Sequence, residues 1–164
     1  MSVSPVNPDL AFGWFHGKLY RSKDGGNNWE TSPTNFLITS LVADPKDENT
    51  VYATTPQGQG VMVSKNKGQD WQILSDDLKG GIVSVIAVNP QDSQNMLTFS
   101  EKLGGLGKSS DGGKTWQKET ETFGGEEVLF IAFARQTPSI VYALTYKNTI
   151  YKSTDSGNTW SKVR

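Results

Sequence analysis

The chain has 164 residues, a formal net charge of −1 and no cysteine. That length suffices for one domain with a sizeable core, the mixed charge offers no basic stripe for nucleic acid, and the lack of thiols excludes a disulfide scaffold and thiolate metal sites. No apolar run approaches the roughly 20 residues needed to span a bilayer, and the start, MSVSPVNP, has neither the basic end nor the apolar stretch of a signal peptide.

In chain order, a first short strand at Val3 and Ser4 ends at Pro5, and an octet runs from Ser22 through Asp24 and Gly26 to Trp29. The next unit is the clearest. Residues 36–43 are apolar and β-branched, Asp44-Pro45 makes a turn, 51–55 is a second run, 57–60 a tight Gln-Gly-Gln-Gly connection, 61–64 a third run, and an octet Ser64 to Trp71 leads into a fourth run over 71–74. Short strands separated by turn chemistry predict a four-stranded meander with no sustained helical period. The pattern returns with an octet Ser109 to Trp116, then with the strongly apolar run 128–133 and an octet Ser153 to Trp160.

The four octet tryptophans step by 42, 45 and 44 residues. A fixed period of this size marks a repeated supersecondary unit. Pro5, Pro45, Pro90 and Arg135 end the first strands, and Phe12, Tyr52, Leu97 and Tyr142 each lie seven residues further on. One sheet of about 40 residues cannot bury both its faces, whereas such units stacked around an axis protect most of their edges. The expected fold is all-β: a propeller of four four-stranded antiparallel blades over 1–33, 34–77, 78–121 and 122–164, with the first strands along the axis. The clean start at a unit boundary is expected of a piece cut from a longer protein.

Within each octet the short acid accepts nearby backbone N–H bonds. Gly26, Gly68, Gly113 and Gly157 are expected to take positive φ, and the tryptophan to wedge between sheets. The structural set is Ser22, Asp24, Gly26, Trp29; Ser64, Asn66, Gly68, Trp71; Ser109, Asp111, Gly113, Trp116; Ser153, Asp155, Gly157, Trp160. The second octet carries Asn66 for the acid and Asp70 for the threonine, which predicts a weaker, uncharged staple. Each loop has too few carboxylates for Ca²⁺, which takes six to eight oxygens, and no metal or cofactor is expected.

These octets are Asp-boxes, or BNR repeats, and over its whole length the chain resembles the Asp-box β-propellers. Sialidases, xyloglucan-degrading glucanases, sortilin-type receptors and photosystem II assembly factors share the repeat. The unit pattern is most similar to bacterial glycosyl hydrolase-like and photosystem II assembly factor-like repeat proteins. The resemblance implies an extracytoplasmic location, with ligands on the face opposite the Asp-boxes. Loops between second and third strands and between blades would build that face. Its ligand-binding candidates are Trp14, His16, Gln57, Glu101, Lys102, Tyr146 and Lys147. Trp14, the one tryptophan outside the octets, reads either as a sugar-stacking platform or as core filling. His16, the only histidine, reads as a solvated turn residue.

Glycoside hydrolysis needs two facing carboxylates roughly 5 to 10 Å apart. Candidates are Asp76, Asp77, Glu101, Glu119, Glu121, Glu126 and Glu127, none in a matching motif, so no catalytic residue is assigned. A sialidase would need an arginine triad, and Arg21, Arg135 and Arg164 are placed too unlike one another to supply it. Gly104–Ser109 resembles the end of a phosphate-binding loop, but Lys102 stands where the first glycine belongs and no helix follows. The expectation is a non-catalytic binding module for a protein or polysaccharide, with a carbohydrate-active enzyme, or a fragment of one, as the alternative. A closed ring of four and a homodimer completing a ring of eight both remain open.

Overall fold

A computed structural model describes residues 1–119 and 123–163. Four antiparallel sheets of four strands follow one another along the chain. Blade 1 holds β1 (Ser2–Val3), β2 (Ala11–Phe15), β3 (Lys18–Ser22) and β4 (Glu30–Ser32); blade 2 holds β5 (Ser40–Ala43), β6 (Val51–Thr54), β7 (Val61–Ser64) and β8 (Gln72–Ile73). Blade 3 holds β9 (Val83–Val88), β10 (Met96–Ser100), β11 (Gly105–Ser109) and β12 (Gln117–Lys118); blade 4 holds β13 (Val128–Phe133), β14 (Val141–Thr145), β15 (Ile150–Ser153) and β16 (Ser161–Lys162). The expected all-β propeller architecture is present. Among the described residues no helix is long and apolar enough to cross a membrane.

The register repeats with the sequence. Phe12 faces Arg21, Tyr52 faces Val63, Leu97 faces Lys108 and Tyr142 faces Lys152 across the central strand pair of each blade. Because side chains alternate with a period of two, equivalent residues therefore point to the same side of every blade.

Three strands of blade 2 are shorter than the sequence suggests, β6 by the single residue Thr55. The first strand of blade 2 begins at Ser40 rather than Phe36, and its fourth is Gln72–Ile73 rather than 71–74. Phe36 has left the ladder to fill the space between blades. It is 5 % exposed, packs with Phe12 and Leu19, and meets the Trp71 ring edge-on at 5.5 Å. Leu78 and Phe123, from the connections to blades 3 and 4, play the same part beneath Trp116 and Trp160. Each boundary thus has its own apolar cluster, closed by a plug from the connection and a tryptophan from the following Asp-box.

Hydroxyls tie the same boundaries near the axis. Thr39 Oγ1 donates to the Val83 carbonyl at 2.7 Å, and Ser84 Oγ donates to that of Val128 at 3.0 Å. First strands pack in the pairs β1–β5, β5–β9 and β9–β13. The seam between blades 4 and 1 stays open, since Trp29 is 42 % and Tyr142 43 % exposed whereas Phe12 and Leu97, equivalent to Tyr142, are at most 1 %. Among the described residues no apolar cluster closes this fourth boundary as one closes each of the other three.

Candidate functional site

All four Asp-boxes fold alike. The serine hydroxyl donates to Oδ1 of Asp24, Asn66, Asp111 or Asp155 at 2.7–2.9 Å and accepts from the N–H of the glycine four residues on at 2.8–2.9 Å. The same Oδ1 accepts the N–H of Asn28, Asp70, Thr115 or Thr159. Each indole Nε1–H donates to the carbonyl of that glycine at 2.9–3.1 Å. Gly26, Gly68, Gly113 and Gly157 have φ of 93°, 80°, 82° and 89°.

The second box is not uncharged, contrary to the reading of its sequence. Asn66 Nδ2 donates to Asp70 Oδ2 at 2.7 Å, while in the first box Asn28 Nδ2 donates to Asp24 Oδ2 at 2.7 Å. The carboxylate–amide pair is kept with its ends exchanged. Backbone and hydroxyl bonds from Thr115 and Thr159 hold the Asp111 and Asp155 carboxyls down at about 2. Their partners are all local, so the boxes are folding staples.

The turns between second and third strands open on the opposite end from the boxes, as antiparallel connectivity requires. There His16 is exposed in a left-handed turn (φ 48°), its ring edge-on to exposed Phe15 at 4.1 Å. Gln57 accepts the Leu37 N–H at 3.1 Å. Glu101 accepts the Ile82 N–H at 3.2 Å, and Lys102 Nζ donates to the Asp76 carbonyl at 3.0 Å. Tyr146 and Lys147 are exposed in the β14–β15 turn. Trp14 is half-buried against the cluster between blades 1 and 2.

Several of the carboxylates have structural work. Asp77 accepts the Trp116 N–H at 2.9 Å, the Thr145 hydroxyl donates to Glu126, and Asp76 pairs with Lys79, which holds its carboxyl below the usual range. Glu119 follows β12, its N–H bonded to the Leu106 carbonyl. Glu121 and Arg164 lie outside the described residues. One cleft on this end gathers two carboxylates, Glu101 and Glu127, with Ile82, Ser84, Phe99 and Gly125, in about 150 Å³. Small-ligand sites span about 300–1,000 Å³, so this cleft holds at most a fragment of a larger ligand. Among the described residues no group of three metal-ligating side chains gathers.

Arg21 and Arg135 do not converge. Arg21 is 6 % exposed, bound to Glu30 and to the Lys67 carbonyl, whereas Arg135 lies at the box end of the axis. There it joins Pro5, Pro45 and Pro90 around a cleft of about 620 Å³, with Val3, Ser4, Pro8 and Lys46 completing the wall. This is the roomiest cleft described, and the site reading missed it. The signal was present, because its corners are the four aligned ends of the first strands.

On the loop end four apolar side chains are exposed, one from each blade or the connection into it. Phe15 is 68 %, Leu37 46 %, Ile82 37 % and Tyr146 72 % exposed. Leu37 and Ile82 are equivalent positions just ahead of β5 and β9, and Phe15 and Tyr146 flank hairpin turns.

No protein-family model matches the chain. A xyloglucanase of a Paenibacillus species is 24 % identical over 187 residues, covering 99 % of this chain and 16 % of that protein. Xyloglucanase Xgh74A of Acetivibrio thermocellus is 26 % identical over 167 residues, covering 78 % of this chain and 20 % of its own length. The chain thus spans a fifth or less of these curated relatives. Among solved structures, the GH74 enzyme of Niastella koreensis superposes with a TM-score of 0.80 at 16 % identity, over 98 % of this chain and 29 % of that one. YCF48 bound to D1 peptide superposes with a TM-score of 0.61 at 19 % identity, over 93 % of this chain and 50 % of that one. The fold is that of the GH74 and YCF48 propellers.

Proposed function

We propose that the chain is a non-catalytic binding module whose loop end receives a polysaccharide of the xyloglucan class. The observation that carries this reading is the exposure of Phe15, Leu37, Ile82 and Tyr146 at the loop end. Flat apolar and aromatic groups on an open face stack on sugar rings or cover a partner's apolar surface, and an exposed patch of this kind marks an interaction site. The relatives named xyloglucanases, one matched across 99 % of this chain, favour the sugar. The test is affinity electrophoresis in xyloglucan, with reducing ends assayed in parallel. The expected result is retardation without release of reducing ends, and loss of retardation in Phe15→Ala/Tyr146→Ala. Equal mobility with and without the polysaccharide sinks the reading.

Glu101 and Glu127 in one cleft favour a second reading, a glycoside hydrolase or a part of one. On that reading reducing ends appear, and both Glu101→Gln and Glu127→Gln abolish them.

A further inference from the structure

Three internal boundaries show what one blade requires of the next. The exit face of blade 1 presents Phe12 and Leu19, that of blade 2 Tyr52 and Val61, that of blade 3 Leu97 and Leu106, and all six are at most 6 % exposed. On these faces sits the next Asp-box. A Cβ on Gly68 would lie 3.2 Å from Phe12, and one on Gly157 2.8 Å from Leu97. At the rim of two of these boundaries a cation reaches across: Arg21 Nη1 donates to the Lys67 carbonyl, and Lys108 Nζ to Asn158 Oδ1, whereas the third has Val63 at that position.

Blade 4 carries the same exit face, and there it is exposed, Tyr142 to 43 %. Tyr142 stands at the Phe12 and Leu97 position, Ile150 at that of Leu106, and Phe130, 64 % exposed, at that of Val85, which is 4 % exposed. Lys152, the counterpart of Lys108, lies over the Tyr142 ring, 5.8 Å from its centre. Blade 1 carries an uncovered entry face. Val3 is 49 % and Trp29 42 % exposed, and a Cβ on Gly26 would meet no neighbouring blade. Asn27 is the counterpart of Asn158, and both donate Nδ2 to the carbonyl of their own box acid at 2.6 Å. The two amide oxygens are thus presented alike, one taken by a lysine and the other not.

We propose that the exit face of blade 4 receives the entry face of blade 1 from a second copy of this chain, in the register of the internal boundaries. Gly26 of the second copy seats on Tyr142, its Trp29 covers the apolar strip beside it, and its Asn27 accepts from Lys152. A pair related by a two-fold along the axis makes this contact twice. One internal feature has no counterpart there: Leu129 replaces the hydroxyl of Thr39 and Ser84. The association is therefore reversible, weaker than the boundaries within the chain.

Light scattering on the whole chain over a wide dilution series tests this. The expected mass is twice 18.0 kDa, falling to one chain on dilution as Trp29 emission shifts to the red. A single chain at every concentration, or growth beyond two copies, overturns the proposal. Tyr142→Asp should weaken association at least about tenfold, roughly 1.4 kcal/mol, with its β-sheet circular dichroism retained; an unchanged mass overturns it. Asn27→Lys, which sets two lysines together, and Lys152→Glu should each weaken pairing, and mixing the two should restore it. A mixture no heavier than its parts overturns the register.

Discussion

The hydroxyl of Tyr52 donates to Asp44 Oδ2 at 3.0 Å, while Ser93, from the next blade, donates to Oδ1 of the same carboxylate at 2.7 Å. The N–H groups of Lys46 and Asp47 complete the set. Asp44 is 3 % exposed, and burial followed by its charge pushes the Tyr52 phenol above its ordinary range. One carboxylate therefore holds its own turn, its own blade and the neighbouring blade. Asp44→Ala strands the buried Tyr52 hydroxyl and three half-buried donors, and unsatisfied buried groups cost about 1–3 kcal/mol each before relaxation. The expected loss is about 3 kcal/mol by urea unfolding, against about 1 kcal/mol for Tyr52→Phe, which removes a single bond. A loss below that of Tyr52→Phe would contradict the hub role.

Acid should weaken the fold through the Asp-boxes. The Asp111 and Asp155 carboxyls sit at about 2 and Asp24 is also lowered, from an ordinary 3.8. Between these values the folded chain binds fewer protons than the unfolded one. Their contribution is thus fully present above about pH 4 and is lost as pH falls towards about 2. Asn66 shows that an amide can occupy the acid position with the same serine and backbone bonds. Replacing all three acids by asparagine should flatten the fall in urea midpoint between pH 4 and pH 2. An unchanged slope would place the acid sensitivity elsewhere.

The same glycine carries different burdens in different boxes. Gly26 and Gly157 share positive φ, 93° and 89°. A side chain at Gly157 would press on Leu97 Cδ1 at 2.8 Å, while one at Gly26 finds only its own Trp29 at 3.9 Å. Gly26→Ala should therefore cost only the backbone strain, about 1–2 kcal/mol, and Gly157→Ala about 1–3 kcal/mol more for overpacking. Urea midpoints measured at concentrations where the chain is single separate the two. Equal losses would show that box packing across blades adds nothing.

The blades were legible because their signals are local. The octet's serine, acid and glycine bond one another within six residues, and the strand registers follow from positions such as Phe12 and Tyr142 counted from strand ends. What the sequence hid depends on neighbours far along the chain. Asp77 reads as a solvated loop charge, yet it accepts the N–H of Trp116, 39 residues on. Phe36 reads as strand, yet the gap beneath Trp71 takes it. Trp29 and Trp116 stand in equivalent octets, yet Trp116 is buried against the apolar residues of blade 2 and Trp29 is exposed. The axial cleft has the same origin, since its corners are identifiable one by one but their convergence requires the stacking of four blades.

The residue ahead of the box glycine is also left-handed, which the octet alone did not reveal. Gly25 and Gly112 fill that position in the first and third boxes, but Lys67 and Ser156 hold φ of 58° and 61° in the second and fourth. The conformation is imposed because this residue's N–H must reach the turn between its own first two strands, as Ser156 does to the Ser139 carbonyl at 2.9 Å. An L side chain there is strained by about 1–2 kcal/mol, while glycine returns part of that through greater freedom in the unfolded chain. Ser156→Gly should therefore stabilise the protein by about 0.5–1 kcal/mol, keeping the bond to Ser139. Lys67→Gly should gain less, because it also removes the Lys67–Glu48 ion pair at 2.8 Å. Urea midpoints of the two variants check the order, and a midpoint for Ser156→Gly below the parent's would mean that the strain is relieved elsewhere in the box.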